Sequence, residues 1–330
     1  MNSFGRLFRV SIFGESHGES VGITIDGCPA GLSLQATDLL PDLERRKGGM
    51  HKGTTPRQET DFPIFKSGLF NNKTTGFPLT ILFENNNTRS EDYNKQRSIP
   101  RPGHADWVAN QKFGGNEDYR GGGHFSARLT TGLVAAGAIA KKLMPGLQIV
   151  AAVTEIGGDK DTEKGLQKAI EAKDSVGGIV ECRVSGMPVG LGEPYFDSIE
   201  AVLSHMLFSI PAVRGVEFGT GFAAAAMYGS AHNDAILDNT GKTRTNHAGG
   251  VVGGISNGNE LVFRLAVKPT SSTSKTQHSL NWETGTTEDF SIKGRHDLCV
   301  ALRAPVIVEA VTAIVLADFM LLEQKIKRVL

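Results

Sequence analysis

Apolar positions along this chain follow two rhythms. Short runs with a period of two, rich in β-branched residues, occur at 7–12, 21–25, 79–83, 147–154, 178–184, 213–218 and 261–267. Runs of that length predict strands, and their alternation predicts antiparallel pairing. Longer stretches follow the helical period. Residues 125–144 read as a helix rich in Ala and Gly, which lets neighbours pack closely. Pro305, at a first-turn position, opens another through Leu322 that is apolar on nearly every side. Shorter helices are predicted at 34–45, 163–172 and 198–209. Two helices without a solvated face belong inside with strands outside them, so the expected fold class is α+β, a layered sandwich of helices between antiparallel β-sheets.

Composition narrows the function. The 330 residues include 40 glycines, against the roughly 7% usual in soluble proteins. With no G-X-Y period and 39% hydrophobic residues the chain is neither collagen-like nor disordered, so the glycines need another reason. Lys+Arg 35 balance Asp+Glu 35. The absent net field argues against nucleic acid or a membrane surface as partner, and any anion must be held by a local cluster. The N-terminal sequence lacks the apolar core of a signal peptide, and the longest apolar stretch, 311–322, is interrupted by Thr312 and Asp318. Cys28, Cys182 and Cys299 show no C-x-x-C spacing, which disfavours a disulfide framework or zinc ribbon and suits a reducing cytoplasm. No stretch reads as a linker, so one domain over 1–330 is expected.

Most glycines sit in polar clusters: FGESHG (13–18), KGGMHKG (47–53), RPGHAD (101–106), RGGGHFSAR (120–128), NHAGGVVGGISNG (246–258) and KGRHD (293–297). Histidine recurs beside these glycines, usually with Arg or Lys nearby. Glycine lets backbone N–H groups approach a ligand where a Cβ would clash, and cations complement an anion. One such turn is commonly just a turn; six converging would make a deep pocket for an anionic ligand. Other readings fail on particular residues. Thr54 stands where a P-loop needs lysine, and GTGFAA (219–224) lacks a surrounding βαβ unit. The nine histidines never pair at H-x-x-x-H spacing, so no metal site is expected.

Within the clusters, His17 follows a predicted strand and His104 sits in a Pro-Gly turn beside Asp106. Imidazole titrates near neutrality, which suits both to proton donation. Asp297, directly after Arg295 and His296, reads as a carboxylate base kept ionised by a nearby cation, with a surface ion pair as the equal alternative. The turn VKPTSST (267–273) offers four hydroxyls to a phosphate or heteroaromatic edge, or simply to water.

Together the clusters resemble the chorismate synthase family almost from end to end. FGESHG with GITIDGCPAG is similar to the family's first signature, RGGGHFSAR with LVAAGAIA to its second, and GRHDLCVALRAPVIVEA to its third; DLERRKGG, RPGHAD, NHAGGVVGGISNG and KPTSS also fit. The resemblance implies a carbon–oxygen lyase of the shikimate pathway, the route to aromatic amino acids. Its reaction is anti-1,4-elimination of phosphate from 5-enolpyruvylshikimate 3-phosphate to give chorismate, using reduced FMN (FMNH2) without net redox change. It further implies a cytoplasmic homotetramer, a separate flavin reductase, and NADPH as indirect reductant.

Carried over by position, the resemblance makes His17 the donor to departing phosphate, His104 the donor to flavin, and Asp297 the carboxylate that accepts the substrate proton. Arg46, Arg101, Arg128 and Arg295 would hold substrate. Cofactor contacts would come from His124, Phe125, Ser126, Pro211, Ala212, Gly253, Lys268, Pro269, Thr270, Ser271, Ser272 and Arg295, with Arg46 and Lys52 near a nicotinamide dinucleotide. His124 and Phe125 stand where the family usually has a cation and a hydroxyl, and Leu298 where it has proline. Those departures leave one alternative, a flavin-binding protein of the same fold with lost or altered lyase activity.

Overall fold

The computed structural model describes residues 2–49, 52–56, 59–87, 97–292 and 296–330. Two antiparallel sheets enclose the core helices. The first runs in the order Ser3–Phe4, Arg9–Gly14, Ser20–Asp26, Leu79–Glu84, Ile64–Ser67; the second in the order Val213–Phe218, Leu261–Val267, Gly178–Ser185, Gln148–Ile156. Register aligns apolar partners, Ile23 opposite Ile81 in one sheet and Leu265 opposite Val180 in the other. Alternation then turns Leu261, Phe263 and Leu265 inward, each almost fully buried.

Helix Thr130–Leu143 packs on the first sheet and helix Ala304–Leu322 on the second, and the two pack on each other. Close approach at both contacts depends on glycine. A Cβ on Gly137 would lie 2.3 Å from both Cα and Cβ of Ala310, and one on Gly132 would lie 3.0 Å from Ile23 Cβ. The Ala/Gly composition is therefore the means by which four layers stack. The 304–322 helix is long and apolar enough to cross a membrane, yet it is enclosed between the sheets as a core helix.

Its two carboxylates are saturated. Glu309 accepts from Arg45 through two 2.7 Å bonds, from Lys141 at 3.0 Å and from the Ala151 N–H at 3.1 Å. Asp318 accepts from the N–H groups of Arg6, Leu7 and Phe8, fixing the N-terminal segment.

Structure and pattern part at 125–129. The predicted 125–144 helix begins only at Thr130, because Gly121, Gly122 and Gly123 have φ of 59°, 83° and 51° and Ser126 is extended. Two 3₁₀ turns, Arg120–Phe125 and Ala127–Leu129, replace the first helical turns. Helix Asp106–Phe113, with just one buried residue, and the hairpin of Gln277–Asn281 with Thr286–Phe290 carry little periodic signal and were not expected.

Candidate active site

The N-terminal ends of both core helices open onto a cavity of about 700 Å³, within the ordinary size range of small-molecule sites. His17, Arg46, Arg101, His104, His124, Phe125, Ser126, Arg128, Pro211, Ala212, Lys268, Thr270, Ser271, Ser272 and Asp297 all line it. Residues spread from 17 to 297 thus meet in one place. Lys52, Gly253 and Pro269 are not among the lining residues. Lys52 is exposed against Gln167, and Gly253 lies at the tip of the hairpin formed by Val251–Val252 and Ile255–Ser256. Arg295, with Met50 and His51 of the second cluster, lies outside the described residues.

The Gly-rich turn seats both histidines. A Cβ on Gly121 would sit 2.2 Å from His17 Cε1, and one on Gly122 would sit 3.3 Å from His104 Cε1. Positive φ at each further restricts the position to glycine. The turn is pinned to the first strand pair by the Ser16 N–H donating to Gly123 O at 3.1 Å and by His124 Nδ1, 2.9 Å from Gly14 O.

His104 is oriented from one side. Its Nδ1 lies 2.6 Å from Asp106 Oδ1, while Arg101 grips the same carboxylate at 2.7 and 2.8 Å and reaches Ser272 Oγ at 3.2 Å. Burial alone would raise the Asp106 pKa, but the bonds from Arg101 and His104 outweigh it and hold the carboxyl well below the usual range.

The floor is a buried ion cluster centred on a residue without a sequence signal. Asp61, 1% exposed, accepts from Arg46 Nη2 at 2.7 Å and from Arg128 Nη1, while Arg128 Nε also donates to Asn85 Oδ1 at 2.9 Å. Burial would raise the Asp61 pKa, and the two guanidinium groups instead lower it to about 2. Two arginines share one carboxylate, so the cluster keeps surplus positive charge. Desolvation, partly offset by Asp61 and reinforced by repulsion from Arg303 and Arg128, lowers Arg46 to about 10. Arg46 Nε is buried and has no hydrogen-bond partner among the described residues.

Among the described residues, the cation hydrogen-bonded to Asp297 is Arg303, six residues on in the third signature. Arg303 Nη1 donates to Oδ2 at 2.9 Å, the Thr55 N–H donates to Oδ1 at 2.8 Å, and Arg303 Nε donates to Arg46 O at 2.9 Å. Asp297 is thus ion-paired, but with Arg303 and on the wall of the cavity instead of the open surface. The opposite wall joins the Pro211–Ala212 turn to the 267–273 turn. The Lys268 N–H donates to Ala212 O at 2.9 Å, and Lys268 Nζ bonds Ser271 Oγ at 2.9 Å. Burial, then repulsion from Arg214, lowers the Lys268 pKa. With cations at both ends, an apolar stretch including Ile12, Leu133 and Met206, and hydroxyls along one side, the cavity suits a planar group and a small polyanion together.

Known proteins match along the same length. Residues 8–321 match the family model described as chorismate synthase. The chain is 68% identical over 330 residues to a chorismate synthase from Chitinophaga pinensis, covering 100% of this chain and 99% of that one. It is 44% identical over 360 residues to one from Dehalococcoides mccartyi, with 100% and 99% covered. A solved chorismate synthase crystal structure superposes with a TM-score of 0.73 at 26% identity, covering 97% of this chain and 93% of that one. The chain belongs to the chorismate synthase family.

Proposed function

We propose that this chain eliminates phosphate from 5-enolpyruvylshikimate 3-phosphate to give chorismate, with reduced FMN bound in the same cavity. The observation that carries the reading is convergence: His17, His104 and Asp297 line one cavity with a surplus of arginine. The hydrogen lost in this elimination has no adjacent carbonyl to acidify it, so a carboxylate alone is too weak a base. Bound reduced flavin supplies transient electron donation that assists phosphate loss.

The residues present fit that group. His124, Phe125, Ser126, Pro211 and Ala212, with Lys268 and the hydroxyls of Thr270, Ser271 and Ser272, would hold it, and the cationic Lys268 suits its phosphate. Arg46, Arg101 and Arg128 would hold the substrate's phosphate and carboxylates, the buried Arg46 Nε being a donor still to be used. A positioned donor at developing charge is worth about 3 kcal/mol of barrier in general, so this cluster outweighs any one histidine. His17, fixed against Gly121, would donate to the departing phosphate; His104, turned by Asp106, would donate toward a bound flavin; Asp297, gripped by Thr55 and Arg303, would take the substrate proton.

The same reading places the protein in the cytoplasm as a homotetramer, its flavin reduced by a separate enzyme that draws on NADPH. An anaerobic assay with the phosphorylated substrate and photoreduced FMN tests it. Chorismate absorbance should appear at catalytic rates. Folded, flavin-loaded protein that gives none supports instead a flavin-binding relative, altered at His124 and Phe125.

A further inference from the structure

Behind His104 lies a second, smaller chamber of about 50 Å³. Its lining includes Asp106, Asn110, Glu117, Gly122 and Trp282, and Arg101, His104, Ala105 and Phe125 line both it and the main cavity. A water occupies roughly 30 Å³ in the liquid, so the chamber has room for one or two if polar groups hold them. One such group is in place. Glu117 Oε2 is buried and has no hydrogen-bond partner among the described residues, while its Oε1 meets only a long 3.4 Å bond from Asn110 Nδ2. A buried carboxylate oxygen left without a donor is costly, and water is the donor a polar chamber of this size can supply.

The imidazole edge left for such water is set by its other contacts. His104 Nδ1 is taken by Asp106 at 2.6 Å, with Arg101 Nη2 3.0 Å away. The Cε1–Nε2 edge faces Gly122, where a Cβ would lie 3.3 Å from Cε1 and 3.5 Å from Nε2. Gly122 lines the rear chamber and, lacking a side chain, leaves that edge open to it. The charged and titratable groups around the chamber are Arg97, Arg101, His104, Asp106, Glu117, Asp118 and Tyr119. Asp106 is forked on Arg101 and Asp118 on Arg120, which leaves Glu117 as the carboxylate not held by an arginine among the described residues.

We propose that this chamber holds bound water through which Glu117 passes protons to His104. When His104, which lines both cavities, has given its Nε2 proton to the main cavity, the Glu117 carboxylate takes up a proton from solvent and passes it through the chamber water to His104 Nε2, returning to the carboxylate form. The imidazole is then restored without opening the substrate side. Glu117 acts through His104 and is a positioning residue, not a catalytic one. The inference rests on reading His104 as a proton donor.

The tests separate the two ideas. A high-resolution crystal structure of the unaltered protein should show water within hydrogen-bond distance of Glu117 Oε2; a dry chamber overturns the proposal whatever the activity. In turnover, Glu117→Gln should lower kcat about fivefold or more, leave KM within twofold and enlarge the solvent deuterium isotope effect, while Glu117→Asp restores most of the rate. A Glu117→Gln protein matching the parent in rate, isotope effect and pH profile refutes the relay while leaving the elimination chemistry standing.

Discussion

The molecule buries charge in two places and treats it differently. In the core, Glu309 is surrounded by Arg45, Lys141 and a backbone N–H, and Asp318 by three backbone N–H groups; every charge is answered where it stands. On the cavity floor, Arg46 and Arg128 share a single carboxylate and a guanidinium nitrogen is left over among the described residues. Saturation fixes a fold. Under-neutralisation, at a cost in desolvation, keeps a place for a charge that arrives later.

The two clusters should respond oppositely to substitution. Replacing His17, His104 or Asp297 with alanine should lower turnover by about 10²-fold or more while circular dichroism stays native, the scale of a lost acid or base. Near-normal rates in all three would remove the cavity's claim to be the reaction site. Arg46→Met should cost about 10²-fold in turnover yet shift the thermal midpoint little, since the desolvation cost and the repulsion from Arg303 and Arg128 that it removes offset the lost pair with Asp61, which keeps Arg128. Glu309→Gln should do the reverse, lowering unfolding free energy by about 3 kcal/mol, as breaking a buried pair does, with unchanged turnover per folded molecule. Denaturant titration set beside steady-state rates reads both; equal stability losses would erase the distinction.

Acid gives a further comparison. Glu309 and Asp61 both have folded-state pKa values below their unfolded ones, the former through Arg45 and Lys141 against burial, the latter through Arg46 and Arg128. A depressed carboxyl contributes stability that is present above its unfolded pKa and lost as pH falls through the folded value. Stability should therefore hold near neutrality and fall as pH drops from 4.5, the ordinary Glu value, toward about 2, where Asp61 titrates. Asp61→Asn should flatten the lower part of that fall. The smallest effect concerns Phe125, 42% exposed and 6.4 Å from the Phe113 ring. If its ring packs on the flavin, Phe125→Ser should weaken oxidised FMN by about 1 kcal/mol in a fluorescence titration, and unchanged affinity would remove that role.

Much of this was legible in the sequence for identifiable reasons. Strands Val213–Phe218 and Leu261–Val267 fall where their alternation places them, because each has one face in the core. The core helix opens next to Pro305, as first-turn proline dictates. His17, His104, Arg128 and Asp297 were visible because glycine, histidine and cation cluster locally. Asp61 was not, because its meaning lies in Arg46 and Arg128, 15 and 67 residues away. Arg303 sat unnoticed inside the third signature, overshadowed by Arg295 two residues before Asp297. The glycine excess divides the same way: Gly137 admits a helix, whereas Gly121 and Gly122 admit two imidazoles.

The central claim is that the cavity floor waits for the substrate's negative charge. A crystal structure of the protein with FMN and 5-enolpyruvylshikimate 3-phosphate tests it most directly. An anionic group of the substrate should lie within hydrogen-bond distance of Arg46 Nε, with His17 and Asp297 facing the reacting ring. Substrate bound elsewhere, with Arg46 Nε still unpaired, would contradict the account.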